Sequence, residues 1–300
     1  MMITSTSNKI NINYNYSKVN MAIDLKSKKI IMIVLLIMII SVSLFGILMM
    51  YYLYQHPRFI LLPYNKFISW YIGKEQNNKI FYTNDEKQQL FPISTLLELN
   101  YPFIKQELNL FIKENNIFNK EFNSNSNNLF SNFEKTLDYN NWNTIPVFLN
   151  GNELKYSRKY FPTIMKCIDE SKGQLFTAIF SILEPGKQIE PHYGPFKGIL
   201  RYHLGIDIPD GDCFINVNNE KYKWKNGEGI LFDETHLHYA QNNTNEKRVI
   251  LFIDVIRPLN TNTTNSKYIF NINRFICNLI KIAPHTISCL NEYNAKFNCQ

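Results

Sequence analysis

The chain has 300 residues, 45% of them hydrophobic and 14% aromatic; it can bury a full core as one or two domains and is not a disordered chain. The formal charge of +7 comes from Lys and Arg scattered among Asn, Ile and Phe, with no basic stripe or recognition motif, which argues against a nucleic-acid partner. Cys167, Cys213, Cys277, Cys289 and Cys299 show no CxxC spacing, which speaks against a thiolate metal centre, and their odd number leaves at least one unpaired within the chain.

Residues 1–29 are polar and rich in Asn and Ser, the composition of a disordered cytosolic tail. Residues 30–54 carry no charge and are almost entirely apolar or Tyr, long enough for a transmembrane anchor. A cleaved signal peptide would have a shorter apolar run followed by small residues. Here the run ends in Tyr51, Tyr52 and Tyr54, which suit an interfacial aromatic belt. Lys26, Lys28 and Lys29 precede the span and Arg58 follows it, with Lys66 and Lys74 further on. The charge bias predicts a single-pass type II protein whose remainder is lumenal, in the endoplasmic reticulum or a similar secretory membrane. There the sequons at Asn242 and Asn262 become glycosylation acceptors.

Residues 55–135 read as a mostly helical support region, irregular from 57 to 84. Within it Ile104, Leu108, Phe111 and Ile112 fall at helical spacing over 102–113 behind Pro102, and 123–128 is a polar loop. From residue 175 the texture changes to short runs of β-branched and aromatic residues broken by Gly, Pro and Asn. Strands are predicted at 175–183, 198–206, 213–217, 221–224, 229–232 and 248–256, with a tight turn at Asn218-Asn219. Many short strands with turns between them point to an antiparallel sandwich or barrel, here bounded at 136–259, in a mainly β chain with flanking helices. The C-terminal tail, 260–300, opens with a Thr/Asn linker. A helix over 268–282 would follow, its apolar face of Ile269, Ile272, Phe275, Ile276, Leu279 and Ile280 docked on the core.

Four of the six histidines, His192, His203, His236 and His238, lie in the β-rich block. A lone core histidine is usually structural. Two imidazoles brought together at one mouth of a barrel would suit iron, zinc or copper. The common non-haem iron arrangement has a carboxylate two residues after the first histidine, and that position is Gly194. Either the site is of another kind or water replaces the carboxylate. Side-chain alternation puts Arg201 and His203 on one face of their strand. Arg248 opens an otherwise apolar strand; it is either an exposed edge residue, paired with Asp254 or Glu246, or an anion-binding group. Two histidines with two arginines able to grip a dicarboxylate make 2-oxoglutarate the economical ligand.

The segments Phe180-Ser181-Ile182-Leu183-Glu184-Pro185-Gly186, Pro191-His192-Tyr193-Gly194-Pro195, Leu200-Arg201-Tyr202-His203-Leu204-Gly205, Trp224 with Gly227-Glu228-Gly229, Phe232-Asp233-Glu234-Thr235, and Arg248 through Asp254 to Arg257-Pro258 resemble the catalytic domain of the aspartyl/asparaginyl β-hydroxylase family. The resemblance runs from Trp142 to Pro258. It implies a double-stranded β-helix of the jelly-roll or cupin type, and a family that lacks the carboxylate ligand, so Gly194 turns from objection into support. By motif position it implies His192 and His238 as Fe(II) ligands and sets His236 aside. It also implies Arg248 and Ser181 on the distal carboxylate of 2-oxoglutarate, Arg201 and His203 on the carboxylate beside the keto group, and Trp142 near the site. Asp233 and Asp254 would be supporting residues. Ligand type alone also admits zinc or manganese.

The activity so implied is a dioxygenase reaction with O2 and 2-oxoglutarate as cosubstrates. Its acceptor would be the β-carbon of Asp or Asn in a protein of the secretory pathway or, alternatively, an acyl chain of a membrane lipid. A non-catalytic 2-oxoglutarate-binding module is the third possibility. The helical-repeat region of the animal protein hydroxylases has no counterpart here.

Overall fold

A computed structural model describes residues 28–48, 51, 58–115, 142–258 and 264–297. The tail before residue 28, Tyr52, Tyr54, the loop at 123–128, Asn262 and Cys299 lie outside the described residues. The chain divides into two units, Met1–Leu53 and Tyr54–Gln300. The first holds helix α1 (Lys28–Leu48), 21 residues with a mean hydropathy of 3.1 and no buried share. Among the described residues it alone is long and apolar enough to cross a membrane.

Among its described residues the second unit is built on ten strands: β1 (Trp142–Leu149), β2 (Asn152–Glu153), β3 (Leu175–Leu183), β4 (Lys187–His192), β5 (Ile199–Asp207), β6 (Cys213–Val217), β7 (Glu220–Tyr222), β8 (Gly229–Phe232), β9 (His238–Asn242) and β10 (Arg248–Ile256). They form a larger sheet in the order β2-β1-β3-β10-β5-β8 and a smaller one in the order β4-β9-β6-β7. Every strand pairing is antiparallel. From β3 onward the chain passes back and forth between the sheets, apart from the β6–β7 hairpin within the smaller one, and β10 returns beside β3. That winding is the double-stranded β-helix, a jelly roll. The β6–β7 turn is the one expected: Asn218 and Asn219 have φ of 47° and 70° between paired Val217 and Glu220. Asn tolerates this left-handed backbone, and the resulting twist matches the strands.

In β3 and β10 every residue is buried. Each covers one face with the barrel interior and the other with helices, so neither strand alternates in polarity. The outer layer includes α5 (Tyr101–Glu114), which buries Ile104, Leu108 and Phe111, and α7 (Pro162–Glu170), which buries Ile164, Met165 and Ile168. Rings seal the contact, Phe161 on Phe180 at 5.4 Å and Phe91 on Tyr202 at 5.3 Å. Residues 57–84, expected to be irregular, contain α2 (Arg58–Asn78), kinked at Gly73. Its signal is weak because, among the residues whose burial is described, only Leu61 and Ile68, two turns apart, are deeply buried on it. Short helices α3 (Asn84–Leu90) and α4 (Ile93–Leu99) follow, the first closed by a Thr83/Glu86 capping box. A one-turn helix, α6 (Ser157–Tyr160), precedes α7.

Four of these strands were not anticipated. Strand β1 carries Pro146, β2 has only two residues, and β4 and β9 are short and polar. The strand expected at 221–224 is Glu220–Tyr222, which leaves Trp224 beyond its end. At the C-terminus α8 (Thr264–Lys281) buries Asn273, Ile276 and Cys277, but Ile272 and Phe275 are exposed, contrary to the expected face. A second helix, α9 (Pro284–Lys296), packs on β1, where Tyr293 and Thr144 hydroxyls meet at 3.0 Å. Cys167, Cys213, Cys277 and Cys289 are buried and unbridged.

Candidate active site

His192 closes β4 and His238 opens β9, and the two are direct partners in the ladder. Their ring centroids lie 4.1 Å apart. Each Nδ1 sits on a backbone carbonyl, His192 on Glu190 O at 2.7 Å and His238 on His236 O at 2.9 Å. A carbonyl only accepts, so Nδ1 carries the proton in both rings and each Nε2 keeps its lone pair for a metal. Burial pushes both imidazoles below their usual pKa, His238 to about 3 with His192 adding to the effect. Both are therefore neutral near pH 7, the state that ligation requires. Of the two histidines near this point, His238 presents the ring, while His236 supplies the carbonyl that orients it.

No group of three or more His, Cys, Asp and Glu is arranged to hold a metal among the described residues. At Gly194 the reason is steric. A Cβ there would stand 2.5 Å from Glu234 Cγ and 2.8 Å from Glu234 O, and the Gly194 N–H donates to that same carbonyl at 2.8 Å. The space a third ligand would need is filled by Glu234.

Arg248, at the start of β10, is wholly buried. Its NH1 donates to Ser181 Oγ at 3.2 Å and more weakly to Ser181 O at 3.4 Å, while Nε and NH2 have no partner. The guanidinium lies 5.0 Å from the centroid of the Trp224 ring, and burial lowers its pKa to about 10. This excludes the exposed-edge reading. Pairing with Asp254 is also excluded, because that carboxylate bonds Arg201. Ser181 Oγ accepts from Trp142 Nε1 at 2.7 Å as well as from Arg248. With both lone pairs engaged, its hydrogen is left to donate. Beside it, buried Trp224 Nε1 and His203 Nδ1 also lack partners. His203 packs edge-on to Phe232 at 4.9 Å, and burial, then Arg201 and Arg248, hold it well below its usual pKa. An unneutralised guanidinium among unsatisfied polar groups is costly inside a barrel, and an anion would relieve that cost.

Arg201 is differently placed. Its Nε donates to Asp254 at 2.7 Å, its NH2 pairs with Glu234, and its guanidinium covers Phe252 at 4.6 Å. Burial lowers its pKa, but Asp254 and Glu234 outweigh that and the net shift is upward. Glu234 was not singled out from the sequence; its approach to Gly194 comes from the fold, and only its place in the Phe232–Thr235 motif marked it. Trp224, noted only within its motif, likewise gains its place from packing. Asp233 is a support: its carboxylate takes Lys197 at 2.7 Å and Arg257 at 2.6 Å, and holds Thr235 N at 3.0 Å. That cluster ties the approach to His238 to the loop after His192.

The sequon at Asn242 is not an acceptor site in this fold. Asn242 is fully buried, and its amide donates to the carbonyls of Leu183, Glu184 and Glu246. Beside the paired imidazoles Tyr193 is 61% and Leu237 40% exposed, and the carboxylate-bearing Glu190 is exposed as well.

A family model described as aspartyl/asparaginyl beta-hydroxylase matches residues 98–258. An ornithine lipid ester-linked acyl 2-hydroxylase of Rhizobium tropici is 32% identical over 173 residues, covering 56% of this chain and 59% of the relative. The human aspartyl/asparaginyl beta-hydroxylase is 30% identical over 129 residues, 42% of this chain and 17% of the relative. An aspartate beta-hydroxylase domain-containing protein 2 of Xenopus tropicalis is 39% identical over 84 residues, 27% and 22% of the two chains. The chain thus spans less than two thirds of the length of each.

Proposed function

Since this chain belongs to the aspartyl/asparaginyl β-hydroxylase family, we propose that it is an Fe(II)- and 2-oxoglutarate-dependent dioxygenase that hydroxylates an unactivated carbon. The observation that carries the reading is Arg248, a buried guanidinium with two unpartnered nitrogens beside Ser181. A dicarboxylate supplies what it lacks. His192 and His238 hold the metal through Nε2, their rings fixed by the carbonyls of Glu190 and His236. Arg248 and the Ser181 hydroxyl take the distal carboxylate, and Trp142 aims that hydroxyl. Arg201, held by Asp254, and His203 take the carboxylate beside the keto group, for which Glu234 gives way. Iron, with 2-oxoglutarate and O2, supplies the oxidising power that converts C–H to C–OH. The protein's part is to orient the dianion, keep both imidazoles unprotonated and exclude water by the aromatic wall of Trp224, Phe232 and Phe252.

The acceptor is the β-carbon of an Asp or Asn residue in a secretory-pathway protein, in line with the family and with a type II anchor at α1 that leaves the barrel lumenal. A second reading, acyl-chain hydroxylation of a membrane lipid, draws on the exposed Tyr193 and Leu237 and on the Rhizobium relative, which matches over 173 residues. The discriminating experiment gives the full-length enzyme Fe(II), ascorbate, O2 and 2-oxoglutarate with either Asp/Asn-bearing peptides or phospholipid vesicles. Stimulated succinate release by peptides supports the first reading and by lipid the second. Binding of 2-oxoglutarate without turnover on any substrate would favour a non-catalytic module.

A further inference from the structure

Helix α2 has two faces of opposite kind. Leu61 and Ile68 are buried, with Leu61 among Phe176, Phe196 and Ile199. On the other side Leu62, Lys66 and Trp70 recur at four-residue intervals, one stripe of a helix, with Phe67 beside them. Leu62 is 60% and Trp70 77% exposed, and Lys66 is exposed between them. From residue 58 to 74 there are three cations, Arg58, Lys66 and Lys74, and no Asp or Glu. A long apolar side chain, aromatic rings and a lysine on one stripe are the composition of a helix that lies in a membrane interface, its rings at headgroup depth and its cations on anionic lipid.

Two further observations say what covers this face. Nine residues, 49–57, join Leu48 of α1 to Arg58 of α2, and fully extended they reach no more than roughly 35 Å. If α1 spans a bilayer, the start of α2 is tethered within that reach of its end. On its inner side α2 grips the loop that carries the first metal ligand: Asn65 Nδ2 donates to Pro195 O at 2.8 Å, and Lys197 N donates to Asn65 Oδ1 at 2.8 Å. The helix is further fixed to α8 by a bond from Tyr64 to Asn273.

We propose that α2 is an interfacial helix whose Leu62, Phe67 and Trp70 insert into the headgroup region of an anionic bilayer, and that it thereby holds the His192–Lys197 loop, with exposed Tyr193, next to the membrane. The inference rests on α1 being a membrane anchor. It deepens the proposed function, since the site would then act on acceptors presented at the bilayer surface.

Trp70 reports on this directly. The other two tryptophans, Trp142 and Trp224, are buried in the candidate site. Full-length protein is reconstituted into vesicles of phosphatidylcholine and phosphatidylglycerol with plain or brominated acyl chains, and tryptophan emission is compared. The expected result is loss of emission in the brominated vesicles that disappears in Trp70→Phe and shrinks in Leu62→Asp/Phe67→Asp. Equal emission in both vesicle types, or quenching unchanged by Trp70→Phe, would overturn the proposal. Carbonate extraction separates the premise from the inference. Protein retained in the membrane but unquenched at Trp70 refutes docking alone, whereas protein that extracts refutes the anchor and the docking with it.

Discussion

Arg248 behaves as a group waiting for a counter-ion, and that yields a two-sided expectation. In Arg248→Met the affinity for 2-oxoglutarate falls by at least ~30-fold, about 2 kcal/mol or more, because a buried charge pair loses one partner. The metal-free chain, relieved of an unpaired buried cation, melts no lower than the parent. Calorimetric titration and thermal unfolding measure the two effects, and a lower melting point with unchanged binding would make Arg248 structural. Glu234 gives the opposite sign. If the cosubstrate competes with it for Arg201, Glu234→Gln tightens 2-oxoglutarate binding, by roughly 5- to 10-fold or about 1 kcal/mol; weaker binding would show that Glu234 helps to build the site. His238 sets a pH dependence. Its pKa in the fold is about 3 against an ordinary 6.5, so below 6.5 the unfolded chain binds the proton that the folded chain refuses. In the metal-free chain stability is full above pH 6.5 and falls towards pH 3, and His238→Asn flattens that slope. His192, His238, Arg248 and Ser181 were legible as residues of a matched motif. Their pairing was not: that Trp142 aims Ser181, or that Glu234 fills the place beside Gly194, depends on strands brought together from positions far apart in the chain.

At the scale of elements, the ladder between β4 and β9 is what brings the two imidazoles together, because it sets His192 opposite His238. Neither strand is visible as a run of β-formers. Residues 187–192 and 238–242 are largely polar, and the smaller sheet has one wet face, so composition marks them as loop. β3, β5 and β10 were legible for the opposite reason: they are buried on both sides and read as apolar blocks. The element most dependent on a single side chain is the turn between β8 and β9. Asp233 alone neutralises Lys197 and Arg257 there, and the two cations hold its carboxyl far below the usual range despite burial. Asp233→Asn is expected to cost ~3–5 kcal/mol of stability, since it leaves two buried cations without their carboxylate. The carboxyl pKa is depressed on folding, so its stabilisation is complete above about pH 4 and is lost as acid protonates it. Denaturant midpoints of parent and variant should therefore converge at low pH. A gap that persists unchanged into acid would mean that the variant acts through packing alone.

For the whole molecule, the many short strands and turns pointed to an antiparallel barrel, and the order in which they wind between two sheets makes it a jelly roll. What the periodicity did not carry was the outer coat of α2, α4, α7 and α9, helices whose buried faces are narrow because each covers only a strip of an already closed barrel. That coat and the apolar α1 are where this chain differs from a bare β-barrel, and the candidate site draws its residues from both sheets. The most direct test of the dioxygenase reading is to run the full-length enzyme, with Fe(II), ascorbate, 2-oxoglutarate and its stimulating substrate, under 18O2. The expected result is one labelled oxygen atom in succinate and one in the hydroxylated product, with neither formed by the folded His192→Ala/His238→Ala variant. Unlabelled product, or labelling that survives loss of both histidines, would contradict it.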